Sequence, residues 1–230
     1  MPRGKPIEAQ QLDDVVRAAA RVFARLGYRR ARMTDVAAEA GLSPGALYTY
    51  VEGKDALFHL VVVGTDPSPS LPVPNPPAEE TIAAVDRRLR ARVPVGAMRR
   101  AAEDSGAVEP AAELRELLGD LYDAVANDRQ FLSAIERSAS DVPGLAERYY
   151  RQGRRGYVHY FAAYLRRRAN EGRLRAVPDA DVTARYLIET VAWFAWHRHD
   201  DNDSSMISDE VARQTVLDMA VAALAREVGR

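Results

Sequence analysis

Six of the thirteen prolines in this 230-residue chain fall in one short run, PSPSLPVPNPP, from Pro67 to Pro77. Proline fixes φ and removes a backbone donor, so this run can be neither helix interior nor sheet centre. It reads as an extended linker. The expected division is therefore a small N-terminal unit (1–65), the linker (66–77) and a larger C-terminal unit (78–230).

Almost everything outside that run has helical spacing. Leu12, Val15, Val16, Ala19, Val22, Phe23 and Leu26 recur at steps of three and four, one stripe of a helix that Gly27 should stop. Val36, Ala37 and Ala40 repeat the spacing up to Gly41. Ser43 can cap a third helix with Pro44 at its first position, where the missing N–H costs nothing. Residues 55–63 make a fourth. Beyond the linker, helices are predicted over 78–92, 111–138, 144–171, 179–199 and 208–228. Strand-like alternation is scarce, so the fold class is all-α.

Composition narrows the chemistry. There is no cysteine, which excludes disulfide scaffolds, thiolate zinc sites and cysteine nucleophiles. The longest apolar stretches are far short of the ~20 residues of a membrane helix, and the N-terminus has no signal-peptide core, so a cytoplasmic protein is expected. A net charge of −1 makes bulk attraction to nucleic acid a poor theme but permits a local patch. Residues 1–65 hold nine basic against seven acidic side chains, and the remainder 23 against 26.

Residues Thr34 to Leu57 read TDVAAEAGLSPGALYTYVEGKDAL. A short helix, a tight turn at Gly41 and a second helix from Ser43 make a helix-turn-helix, whose second helix enters the major groove. Ala37, Ala40 and Ala46 allow close approach of the two helices. The composite V-A-x-x-A-G-L-S-x-G-x-L-Y-x-Y-V-x-x-K-x-x-L resembles the DNA-binding domain of the TetR family of transcriptional regulators. That resemblance covers about fifty residues. It implies an N-terminal helix-turn-helix DNA-binding domain followed by a larger helical ligand-binding and dimerisation domain.

The resemblance also implies roles. Ser43 to Tyr50 would enter the groove, with Pro44, Gly45 and Thr49 facing base edges. Tyr48, Tyr50 and Lys54 would contact phosphates, and Thr34 would approach DNA from the preceding helix. Such hydroxyl and ammonium groups suit phosphate oxygens, which position a domain without reading sequence. Two features depart from the family pattern. Arg32 stands where a capping Thr or Ser is common, and the recognition helix has no Asn, Gln, Arg or Lys for bidentate base reading. Specificity is therefore expected from Arg32, from Arg3 and Lys5 of the basic tail, or from DNA shape.

In the C-terminal half, Tyr157, Phe161 and Tyr164 share one helical face. The resemblance implies an effector pocket there, with Tyr122, Phe131 and Trp193 as further lining candidates; aromatics at this spacing are equally compatible with plain core. Leu187, Val191, Phe194 and both tryptophans, with Leu217, Ala220, Val221 and Leu224, suggest a two-fold interface, although Trp196 is equally compatible with internal core. A dimer is required physically, because two recognition helices must reach half-sites about 34–36 Å apart.

The expected function is a homodimeric repressor, bound to double-stranded pseudo-palindromic operator DNA and released by a small-molecule effector. No cofactor, metal or membrane is expected. The alternatives are an all-α metal-dependent enzyme and an architectural DNA-binding protein with no effector. For the enzyme, His197-Arg-His199-Asp200-Asp201 is the feature to weigh. Two histidines two apart on a helix do not converge, and no nucleophile elbow or phosphate-binding glycine loop is present.

Overall fold

Helical periodicity is realised along most of the backbone in the computed structural model, which describes residues 7–66, 70–91, 93–103, 109–204 and 206–226. Arg3 and Lys5 lie outside the described residues, as do residues 67–69. In order, the helices are α1 (Ile7–Arg30), α2 (Met33–Glu39), α3 (Pro44–Leu47), α4 (Lys54–Val63), α5 (Ala78–Ala91), α6 (Val93–Glu103), α7 (Pro110–Asn127) and α8 (Arg129–Ser138). A π-helical segment (Glu147–Arg154) leads into α9 (Arg155–Asn170), followed by α10 (Ala180–Ala195), a 3-10 turn (His197–Asp200) and α11 (Asp209–Leu224). Among the described residues no strand occurs; two isolated bridges pair Val51 with Val73 and Leu174 with Ala225. The fold is all-α.

Several boundaries differ from the expected ones for local reasons. The helix predicted over 111–138 is two helices, parted at Asp128, whose backbone leaves the helical region. Asn and Asp compete for backbone hydrogen bonds and favour such breaks. Helix α6 has no counterpart in the sequence reading, because Pro94 and Gly96 hide its periodicity; its proline falls in the first turn, where it is tolerated. The span expected to run as α-helix to residue 199 ends at Ala195 and tightens into the 3-10 turn.

Backbone packing divides the chain into two compact units: Met1–Ala91 with Gln130–Gln152, and Arg92–Arg129 with Gly153–Arg230. In the first, α1 packs on α2 and α4, and α4 packs on α5. Leu12, Val15, Ala19, Val22 and Phe23 of the predicted stripe are buried, with Val16 and Leu26 half-buried. Phe23 meets Phe58 edge-on at 5.2 Å, and Tyr28 meets the same ring at 5.3 Å.

Gly27 does not end α1 outright. It sits at φ 74°, ψ 170°, a region closed to side chains, so the helix kinks there and resumes to Arg30. The kink exposes amides that need new acceptors. Tyr28 N–H donates to Ser138 Oγ at 3.0 Å, and Arg29 N–H donates to Asp141 Oδ2 at 3.0 Å. A Cβ at Gly27 would lie 2.8 Å from the Arg137 carbonyl oxygen.

The second unit is built on α9, which packs on α6 and α10, while α7 packs on α10 and α11. Leu114, Leu118, Phe161, Ala162, Tyr164 and Val191 are completely buried there. So is one cation. Arg168 donates to both carboxylate oxygens of Glu113, at 2.8 and 2.7 Å, and to Glu171 at 2.9 Å. A bidentate pair of this kind is what makes a buried guanidinium tolerable.

Gly27→Ala is expected to cost about 2–3 kcal/mol, from backbone strain plus the clash with residue 137. Urea unfolding of the variant should show a lower midpoint at unchanged slope; an unchanged midpoint would mean that the kink is not needed.

Candidate nucleic-acid interface

Local chemistry sets the helix-turn-helix. At its start the Arg32 N–H donates to Asp35 Oδ2 at 2.9 Å, so Asp35 supplies the cap that the Arg32 side chain does not. Helix α2 closes with Gly41 at φ 69°, where Leu42 N–H reaches back to the Ala37 carbonyl at 2.8 Å and Gly41 N–H to that of Ala38 at 3.2 Å. This left-handed closure is open to glycine and costly for other residues. Ser43 then caps α3 through Oγ, which accepts from Ala46 N–H at 3.1 Å, with Pro44 in the first helical position. Both features of that helix start are those the sequence implies.

Helix α3 has only four residues and continues as a tighter turn, in which Tyr50 N–H donates to the Leu47 carbonyl at 3.1 Å. Leu47 and Leu57 are buried beneath it. Of the residues expected at DNA, Arg32, Thr34, Ser43, Pro44, Gly45, Tyr48 and Thr49 keep solvent access, Tyr48 at 49%. Thr49 Oγ1 donates to the Ala46 carbonyl at 2.7 Å.

Tyr50 and Lys54 are half-buried and already occupied. The Tyr50 hydroxyl donates to Gln11 Oε1 at 2.9 Å. Lys54 Nζ donates to the carbonyls of Tyr28 at 2.9 Å and Ala31 at 3.2 Å, and lies 4.4 Å above the Tyr28 ring. The Tyr28 hydroxyl donates to the Asp55 carboxylate. Burial, reinforced by that anion, pushes the Tyr28 phenol far above its ordinary value, so it remains protonated. On α2, Glu39 accepts from Arg21 at 2.6 Å, which holds its carboxyl below the usual range. Tyr28, Gln11 and Asn75, which bonds the first turn of α4, complete the frame of the site without belonging to the motif. For Asn75 the signal was available: an asparagine inside a proline run is a capping or turn residue.

Two family models match this chain. Residues 15–61 match that of the tetR family of bacterial regulatory proteins, and residues 118–226 match that of the AefR-like transcriptional repressor C-terminal domain. The chain belongs to the TetR family. Members are DNA-binding transcriptional regulators, and the C-terminal match is to a repressor domain. PfmR of Thermus thermophilus has a similar structure, with TM-score 0.55 at 22% identity over 92% of this chain and 99% of its own. SmeT, the repressor of the Stenotrophomonas maltophilia multidrug efflux pump SmeDEF, superposes with TM-score 0.52 at 20% identity, covering 94% and 91%. A SmeT–triclosan complex gives 0.53 at 21%, covering 95% and 93%. At these identities the likeness is one of fold. No curated protein matches the chain significantly.

The six aromatics named for an effector are divided between the two units of this TetR-family chain. Phe131 lies in the first unit, with the Arg88 guanidinium 4.0 Å above its ring. Tyr122, Phe161 and Tyr164 are buried in the second unit, Tyr157 is half-buried against the same core, and Trp193 is 37% exposed. The Tyr122 hydroxyl donates to the Phe194 carbonyl at 3.2 Å. The Tyr164 hydroxyl, beside Glu113 and Arg168, is buried without a hydrogen-bond partner among the described residues. Burial, then the Glu113 charge, pushes its pKa up. A cleft of about 620 Å³ elsewhere in this unit is lined by Leu174, Arg175, Ala222, Ala225 and Arg226 among others, and by none of the six.

The interface residues need correction. Leu187, Val191, Leu217, Ala220 and Leu224 are buried within their own unit, Phe194 and Val221 partly so, and Trp196 is stacked on His197 at 4.1 Å. The apolar side chains facing solvent are Val182, Tyr186 (67%) and Trp193 on α10, with Val211 and Met219 (69%) on α11. Both helices are apolar on two sides, so the stripe in the sequence could not say which side faces inward. His199 Nε2 faces Arg129 and Asp209, and burial with the neighbouring cations lowers its pKa. Among the described residues no three His, Asp or Glu stand together to hold a metal. Nor is any described helix long and apolar enough to cross a membrane.

Lys54→Ala is expected to lower stability by about 2 kcal/mol, because two carbonyls lose a charged donor. Tyr48→Ala should change it by less than about 0.5 kcal/mol, as at an ordinary exposed position. Urea titration of the two variants separates them; equal stabilities would deny Lys54 its bonding role.

Proposed function

We propose that this TetR-family protein is a sequence-specific, homodimeric repressor that a small-molecule effector releases from a pseudo-palindromic operator. One observation carries the reading: Ser43, Pro44, Gly45, Tyr48 and Thr49 stand open to solvent on one short capped helix-turn, above a buried Leu47 and Leu57. A rigid exposed helix start is what major-groove entry requires. Residues 1–65 are the reading head and 66–77 its connection; effector and dimerisation functions fall to 78–230, of which 78–91 and 130–152 pack in one unit with the head. Phosphate contacts fall to Tyr48 and to the remaining donor capacity of Lys54, while Thr34 and Arg32 flank the groove. The protein has no catalytic role and acts in the cytoplasm without a cofactor.

The exposed stripe on α10 and α11 supports the dimer. Val182, Tyr186 and Trp193 lie at steps of four and seven, one apolar line along α10, while Val211 and Met219, eight apart, share one broader face of α11. A second copy meeting this surface forms a four-helix arrangement about a two-fold axis. That a protein of similar fold, SmeT, is found in complex with triclosan supports a small-molecule effector. The effector acts through its differential affinity for the DNA-competent and incompetent states, a coupling of about 1–3 kcal/mol.

Selection from a random duplex library should return a pseudo-palindromic site. Fluorescence anisotropy on that site should show tight, salt-sensitive binding that Tyr48→Ala weakens. Selection of no sequence would overturn the reading. Arg32→Ala should relax base preference at one position per half-site by about 1–3 kcal/mol; unchanged discrimination would remove Arg32 from the readout. Tyr186→Glu should give a monomer by light scattering and lose operator binding. A Tyr186→Glu dimer would place the interface elsewhere.

A further inference from the structure

The second half of the proline run is extended, as its composition requires, and it is bonded to the recognition turn. Val73 N–H donates to the Tyr50 carbonyl at 2.8 Å, and Glu52 N–H donates to the Val73 carbonyl at 2.9 Å. The two bonds flank Val51, which is fully buried and bridged to Val73 in parallel register. Between Pro72 and Pro74, Val73 supplies the one N–H, and that donor is aimed at the turn. Two residues on, Asn75 N–H donates to Glu52 Oε2 at 3.0 Å.

The Asn75 side chain completes the arrangement. Helix α4 begins after Gly53, which has no side chain to cap it. Asn75 Oδ1 takes that place, accepting from Ala56 N–H in the first turn at 3.1 Å. A Cβ at Gly53 would stand 2.9 Å from Asn75 Oδ1 and 3.0 Å from Nδ2, so a side chain there would push the Asn75 amide away from its place. The segment enters α5 at Ala78, so α5 is tied to the recognition turn directly as well as through its packing on α4.

We propose that residues 71–77 are a strap that sets the orientation of the recognition turn, with Val73 and Asn75 as positioning residues for operator discrimination. This rests on the DNA-reading role proposed above. The physical need is plain. A four-residue helix carries too few bonds to fix its own direction. The strap adds backbone bonds on either side of Val51 and a cap to α4, and its prolines leave little chain entropy to lose on docking. The strap residues Leu71 to Pro77 carry no charge, so they act on DNA through the turn and not by phosphate contact.

Four variants of the full chain test this: Asn75→Ala, Asn75→Asp, Val73→Pro and Gly53→Ala. Amide hydrogen exchange reads the strap without DNA. Asn75→Ala should speed exchange at Ala56, and Val73→Pro at Glu52, by about tenfold or more; Asn75→Asp, which keeps an acceptor, should restore Ala56. Anisotropy on the wild-type-selected site should show about a tenfold loss for Asn75→Ala, Val73→Pro and Gly53→Ala. Affinity for scrambled DNA and the salt slope should stay at wild-type values, because the phosphate contacts are untouched. The Gly53→Ala, Asn75→Ala double variant should be no worse than either single one. Unaltered exchange would overturn the strap itself. Faster exchange with unaltered discrimination, or an equal loss on both DNAs, would overturn its positioning role. A wild-type chain that selects no sequence would overturn the DNA-reading proposal and this role with it, while the exchange result would still judge the strap.

Discussion

Lys54 donates to the carbonyls of Tyr28 and Ala31 and covers the Tyr28 ring, so the chain enters and leaves the helix-turn-helix at one point. Everything from Arg32 to Gly53 is a loop closed by that ammonium group. The closure works only because Gly27 has already turned the chain and because Ser138 and Asp141 accept the amides that the kink sets loose. Asp55 fixes the phenol end of Tyr28. A short α3 with few bonds of its own can then be presented to solvent in a defined place. The same lysine that family resemblance assigns to phosphate is thus part of the domain's internal frame, with donor capacity left over.

The second unit solves a different problem with similar chemistry. Its core places a guanidinium, Arg168, at zero exposure among Leu114, Phe161 and Tyr164, and the charge is met by Glu113 and Glu171. Arg198 repeats the device at the end of α10, donating to the Phe194 and Ile207 carbonyls at 2.6 Å each and to Asp209. Removing one partner of such a pair leaves an uncompensated charge, which costs far more than the pair itself contributes. These residues fix how the helices of the unit register on one another, and none of them was legible as special among thirty arginines in the sequence.

What could be read from sequence were features whose physics is local. The stripe from Leu12 to Phe23, the left-handed Gly41, the Ser43 cap and the Pro44 start depend on neighbours within four residues, and each stands in the structure as expected. Contacts that join distant segments were not legible. Asn75 to Ala56, Tyr28 to Ser138 and Arg168 to Glu113 span 19, 110 and 55 residues. Periodicity carries no information about such pairs. It also could not orient α10 and α11, whose two apolar sides look alike in a one-dimensional stripe, so Leu187 and Val191 turned inward while Tyr186 and Met219 remained outside.

The sequence by itself therefore determined an all-α chain, a proline run that must be extended, and a helix-turn-helix whose caps and turn follow from a handful of residues. Tertiary structure decided which side chains are spent on the frame and which are left for a partner. Tyr48 and Tyr50 are both tyrosines two positions apart, yet one faces water while the other is bonded to Gln11. It also decided that the proline run docks beside the recognition turn. Backbone donors in an extended segment find whatever acceptors the packed helices bring within reach, and only the assembled fold sets which those are.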